Sequence, residues 1–155
     1  MSSALHALLV GSDRSDAPPY LVAALAFGGF VGTVAAYVLE IFVISGGIVW
    51  IPFHAAVVGM CAGCLVGYVR RGLLFAWIVT YTALLGYRAD HAFFGLPGRS
   101  LGEQAAYFLE PEGLSVLAFE AVVLGAIAFG LGWSSRVGID ALRSSMGESS
   151  VSKEE

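Results

Sequence analysis

The chain has 155 residues, of which 57% are hydrophobic and 13% charged, with a formal net charge of −4. This balance is far too apolar for an ordinary soluble domain of that length. The acidic charge speaks against a nucleic-acid partner, as does the absence of any basic cluster larger than Arg70-Arg71.

The apolar residues come in blocks rather than at spaced helical or strand positions, so they must face lipid or other apolar helices. The expected fold is an all-α integral membrane protein. It is a four-transmembrane-helix bundle, with a short interfacial helix in the outer loop between helices 3 and 4. Residues 1–19 read as a cytoplasmic lead-in without the basic n-region of a secretory signal. Residues 20–134 form the membrane domain, and 135–155 a polar cytoplasmic tail, largely disordered. The preference for arginine over lysine, with that acidic tail, suits a GC-rich, halophilic source.

Four stretches approach the roughly 20 residues a helix needs to cross the hydrocarbon. The first is 20–44, closed by Ser45-Gly46-Gly47. The second is 48–69, closed by Arg70-Arg71-Gly72, and the third is 73–94, with Arg88 snorkelling to the interface. The fourth is 114–133. Between the last two, Ser100 and Glu103 fit a capping box opening a helix at 101–110, ended by Pro111. Leu101, Ala105, Phe108 and Leu109 give that helix one apolar face.

Basic residues near span ends set the orientation. Arg14, Arg70, Arg71, Arg136, Arg143 and Lys153 fall on one side, Arg88 and Arg99 on the other. The protein is therefore expected to be multi-pass in the cell membrane, with both termini cytoplasmic.

Small residues mark the packing faces, since lipid supplies no hydrophobic drive for helix association. Gly59, Gly63 and Gly67 make a ladder on the second span, with Gly29 on the first and Gly125 on the fourth. That ladder serves either packing within one chain, a homo-oligomer, or a larger membrane complex. Cys61 and Cys64 sit inside an apolar run and read as small packing residues rather than a redox pair.

Ionisable groups in the hydrocarbon are expensive, so each needs a partner or water. Glu40, His54 and Glu120 fall at one depth near the outer leaflet, with Arg88, Asp90 and His91 slightly above them. Three readings compete for this layer. In a structural knot, Arg88 neutralises Glu40 or Glu120 while His54 hydrogen-bonds the other. In a proton or ion path, a histidine between carboxylates titrates near neutral pH. In a metal or haem site, His54 and His91 join Glu40 or Glu120, but no HExxH spacing supports this and no cofactor is predicted. No nucleophile elbow, P-loop or dinucleotide fingerprint is present. A non-enzymatic membrane component or subunit is the leading expectation. The alternatives are a small proton or ion transporter or channel subunit, and a metal- or haem-binding membrane protein.

Overall fold

The computed structural model describes residues 8–11, 18, 20–42, 52–95 and 98–151, with side chains as far as 145. Among them the chain is helical: α1 Leu21–Val38, α2 Phe53–Tyr68, α3 Leu73–Phe93, α4 Leu101–Phe108 and α5 Pro111–Val151. α1 and α5 are long and apolar enough to cross a membrane. α2 is apolar but shorter within the described residues.

α1 stops at Val38, well before the expected end at 44. Glu40 takes a left-handed φ of 57°. Its N–H donates to Tyr37 O and that of Ile41 to Ala36 O, both at 2.9 Å. This is a Schellman ending, in which a left-handed residue turns the chain so that orphan carbonyls find donors. Glycine usually takes that place, so the stop carries no glycine or proline signal. Arg70 closes α2 in the same way, with a φ of 57°. Its N–H donates to Gly67 O, and that of Arg71 to Val66 O, both at 3.1 Å. The Ser45-Gly46-Gly47 turn and residues 48–51, where the second span was expected to begin, lie outside the described residues.

α2 begins at Phe53, after Pro52 at its N-cap. α3 follows the expected third span closely. α4 opens with the capping box: the Ser100 N–H donates to Glu103 Oε2 at 2.8 Å, and the Glu103 N–H to Ser100 Oγ at 3.4 Å. Pro111 is the first residue of α5 rather than only the stop of α4, because its missing N–H costs nothing there. α5 then runs on to Val151, where a disordered tail was expected beyond 135. Its continuation is held at Asp140, which meets Arg70 at 2.9 Å and Arg136 at 3.2 Å.

α3 touches each of the other four helices. α2 packs against both α3 and α5, while α1 lies mainly on α3 and does not reach α5 among the described residues. The small residues make these approaches possible. A Cβ at Gly59 would sit 3.1 Å from Thr80 Cα, and one at Gly63 3.0 Å from the Ala128 Cβ. At Gly67 it would run into the backbone of Phe129, and at Gly132 into the carbonyl of Cys64. Gly125 faces Trp77 and Ala76, and Gly29 lies more loosely against Ala83. Gly86 marks a close approach the sequence did not single out, where an added Cβ would sit 2.8 Å from Phe30 O and from Thr33 Cβ of α1. The ladder of α2 is thus taken up by α3 and α5 of the same chain.

Large side chains point the other way. Phe27 is 72% exposed and Phe119 71%, while Ala55, Ala76, Ala83 and Ala128 are fully buried. Many bulky residues thus lie outside and many alanines within, although Leu84, Val66 and Val79 are buried as well.

Candidate functional site

The two ends of the bundle hold the charges. Residues 21–39, 53–69, 73–87 and 121–135 contain no Asp, Glu, Lys or Arg. At one end Asp140 joins Arg70 and Arg136, and Gly11 pairs with Arg71 across an isolated bridge. The opposite end carries the candidate site.

Its organising residue is Arg88, which is only 8% exposed. The Nε–H donates to Phe108 O at 3.0 Å, and Nη2 donates to Tyr107 O and to Glu110 O. The guanidinium lies 5.0 Å from the Tyr107 ring centroid and 3.5 Å from Glu110 Oε2. α4 ends at Phe108, so its last carbonyls carry the negative end of the helix dipole, and that of Phe108 has no backbone donor among the described residues. A buried cation bound to several of those oxygens satisfies both needs at once. This corrects the knot reading. Among the described residues Arg88 forms no ion pair with Glu40 or Glu120; its charge is taken by α4 and Glu110. Gly113 is the small residue that admits the guanidinium, since a Cβ there would overlap it.

α4 is therefore fastened to the end of α3. Phe108 adds a ring contact to Phe93 at 5.8 Å. Ala105 and Phe108 turn partly inward, whereas Leu101 and Leu109, expected on the same face, stay exposed. At the other end of α4, the Ser100 backbone N–H and hydroxyl hold the Glu103 carboxyl below its usual range.

Beside Arg88 lies a cleft of about 350 Å³, lined among others by Tyr87, His91, Glu110, Glu112, Val116 and Glu120. Glu120 is 8% exposed, and its Oε2 is fully enclosed with no hydrogen-bond partner among the described residues. Tyr87, Tyr107, Glu110 and Glu112 are site residues that sequence reasoning missed. One signal was present: a helix ending just before Pro111 leaves carbonyls that need a donor, and Arg88 is close by in the chain.

The expected layer thus divides. Arg88, His91 and Glu120 share this cleft, while Glu40 and Asp90 line a second one of about 580 Å³ with Tyr37, Phe42 and Phe94. Glu40 is exposed beyond the end of α1, not buried within a span. His54 lines neither cleft; its ring stacks on Phe42 at 4.8 Å. Rings link the two clefts: Phe42 to Tyr37 and Tyr37 to Tyr87 at 5.3 Å, Tyr87 to His91 at 6.2 Å, and His91 to Tyr107 at 5.8 Å. Among the described residues no three His, Cys, Asp or Glu side chains converge to hold a metal ion. Comparison with protein-family models, with curated proteins and with solved structures finds no match to this chain.

Proposed function

We propose that this chain is a multi-pass integral membrane component that spans the bilayer four times. Both termini are cytoplasmic, and the outer cleft serves binding rather than chemistry. The observation that carries this reading is the charge-free band shared by the four long helices, bounded by charged layers at both ends. At 1.5 Å per residue the band is about 22–28 Å thick, close to the hydrocarbon core of a bilayer. The many bulky side chains left on the outside, Phe27 and Phe119 among them, support it, because lipid is as apolar as they are. Arg70, Arg71, Arg136 and Arg143 at the inner end give the orientation by the positive-inside rule.

Binding is favoured over conduction by the packing beneath the cleft. There the helices approach so closely that a Cβ at Gly59 would press on Thr80 and one at Gly63 on Ala128. The Thr80 hydroxyl lies 2.8 Å from Ala76 O and 3.2 Å from Gly59 O, turned to backbone rather than to a water path.

A labelling experiment tests the arrangement. Gly102 and Gly138 have open space where a Cβ would be, so cysteines can be placed there after Cys61 and Cys64 are changed to Ala. A membrane-impermeant maleimide should label Gly102→Cys in intact cells and Gly138→Cys only after permeabilisation. Labelling of both in intact cells, or release of the chain by alkaline carbonate, would overturn the reading.

A further inference from the structure

We propose that the outer cleft binds an organic ammonium group, with the Glu120 carboxylate as its anchor. The inference deepens the binding role given above and rests on it only for the side from which the cleft is reached.

The charge inventory points to a cation. Glu110, Glu112 and Glu120 line the cleft against one guanidinium. That guanidinium directs its Nε and Nη2 donors at the Tyr107, Phe108 and Glu110 oxygens, and a carboxylate already meets its charge. Glu110 is the carboxylate Arg88 neutralises, at 3.5 Å. Glu120 has no such partner, although it is more than nine-tenths buried and lines the cavity. Burying a carboxylate without a donor or counter-charge is costly, and a ligand that supplies both removes that cost.

The lining decides which cation. A bare metal ion needs several converging donors, and no such group forms among the described residues. Beside the His91 imidazole, the remaining wall is largely apolar and aromatic, from Pro52, Tyr87, Tyr107, Val116 and Leu117. The volume of about 350 Å³ is that of a small-molecule site rather than an ion site. An alkylammonium presents N–H donors to the carboxylate and carbon to the walls. It can come from a free amine or from a lipid headgroup such as ethanolamine, since the cleft opens where headgroups lie.

The test uses the purified full chain in detergent, so it does not depend on membrane topology. Ethylammonium chloride is titrated calorimetrically, with sodium chloride and n-propanol as charge and shape controls. Saturable binding of ethylammonium alone is expected. Glu120→Gln should weaken it about thirtyfold or more, the lower end of what losing a buried charge partner costs. Glu40→Gln, in the other cleft, should leave it unchanged. Should Glu120→Gln fold poorly, Val116→Trp fills the cleft from an exposed position and leaves the carboxylate in place; it should weaken binding equally. In a second arm the protein is reconstituted with mixed phosphatidylethanolamine and phosphatidylglycerol, and the retained lipid is weighed by native mass spectrometry. Retention of phosphatidylethanolamine that depends on Glu120 identifies the headgroup as the source and supports the proposal even without ethylammonium binding. The proposal is overturned if neither arm shows Glu120-dependent binding, or if n-propanol binds as well as ethylammonium. The labelling experiment is unaffected by that result.

Discussion

Arg88 on α3 caps a helix that begins after it in the chain: its Nε–H donates to the carbonyl of Phe108, the last residue of α4, at 3.0 Å. The side chain is buried, and its charge meets the negative end of a helix dipole. Replacing it leaves the Phe108 carbonyl without a donor and takes the charge-assisted bond from Tyr107 O and Glu110 O, which keep the N–H groups of Glu110 and Leu114. Arg88→Gln is expected to destabilise the protein by about 2–4 kcal/mol, because charge-assisted bonds are lost and their acceptors stay behind. Arg88→Lys should recover only part of this, since an ammonium cannot span the same fork of acceptors. Amide exchange should speed up in α4 more than in α1, a pattern that distinguishes loss of a local cap from general loosening.

The glycines make a graded series. Gly67→Ala places a methyl against the Phe129 backbone, which cannot swing away as a side chain can. It should cost about 1–3 kcal/mol, the usual range for overpacking. Gly86→Ala, against Phe30 O and Thr33, should behave similarly. Gly28→Ala and Gly32→Ala meet nothing within 4 Å and should be neutral or slightly stabilising in α1. Detergent-melting curves of the four variants give the order. Equal costs at all four positions would contradict the packing described.

The ladder Gly59, Gly63 and Gly67 was legible in the sequence because a four-residue spacing places its members on one helical face whatever the neighbours are, whereas Gly86 stands alone and was not. That Arg88 and Glu120 share one cleft agrees with their expected places near the same ends of neighbouring helices. Arg88's partner was not legible. Its acceptors are backbone carbonyls of α4, and a carbonyl has no sequence signature; only the docking of α4 on α3 brings them near. Glu40 was misplaced for a different reason. Hydropathy runs unbroken through Leu39 and Ile41, so an apolar count carries the helix past a turn that the left-handed backbone at Glu40 makes. The division of the polar layer into two clefts follows from that turn.

The same turn gives a stabilising substitution. A residue with a Cβ pays for the left-handed conformation, and Glu40 is exposed and accepts no described hydrogen bond that would offset it. Glu40→Gly should raise stability by about 0.5–1 kcal/mol, set by relief of the left-handed strain against the greater freedom of glycine when unfolded. A lowered melting midpoint would show that the Glu40 side chain contributes to the fold.

The capping box at Ser100 gives α4 a pH response of definite sign. The Ser100 backbone N–H and hydroxyl hold Glu103 below its ordinary range. A carboxylate depressed in the folded state contributes stability that is complete above its unfolded pKa and is lost as pH falls through the folded one. Exchange of the first amides of α4 should therefore accelerate as pH falls from about 6 to about 3, after correction for intrinsic rates. Ser100→Ala should raise the protection-loss midpoint toward that of a free glutamate. A midpoint equal to wild type would mean that the hydroxyl and the helix start do not set it.

Glu120 offers the sharpest contrast between holding the fold and holding a ligand. Its Oε2 is enclosed without a partner among the described residues, whereas Arg88 beside it is held by carbonyls of α4 and by Glu110. A structural carboxylate would be satisfied in the resting protein; one kept for a ligand leaves its cost uncompensated until the ligand arrives. Glu120→Met keeps the volume and removes the buried polar group. It should stabilise the ligand-free protein by about 1–3 kcal/mol, the cost of an unsatisfied buried group. The same variant should gain nothing from added ethylammonium, while wild type melts higher as the cation is raised, as binding to the folded state requires. If Glu120→Met lowers the melting midpoint instead, the carboxylate is part of the scaffold and the cleft loses its anchor.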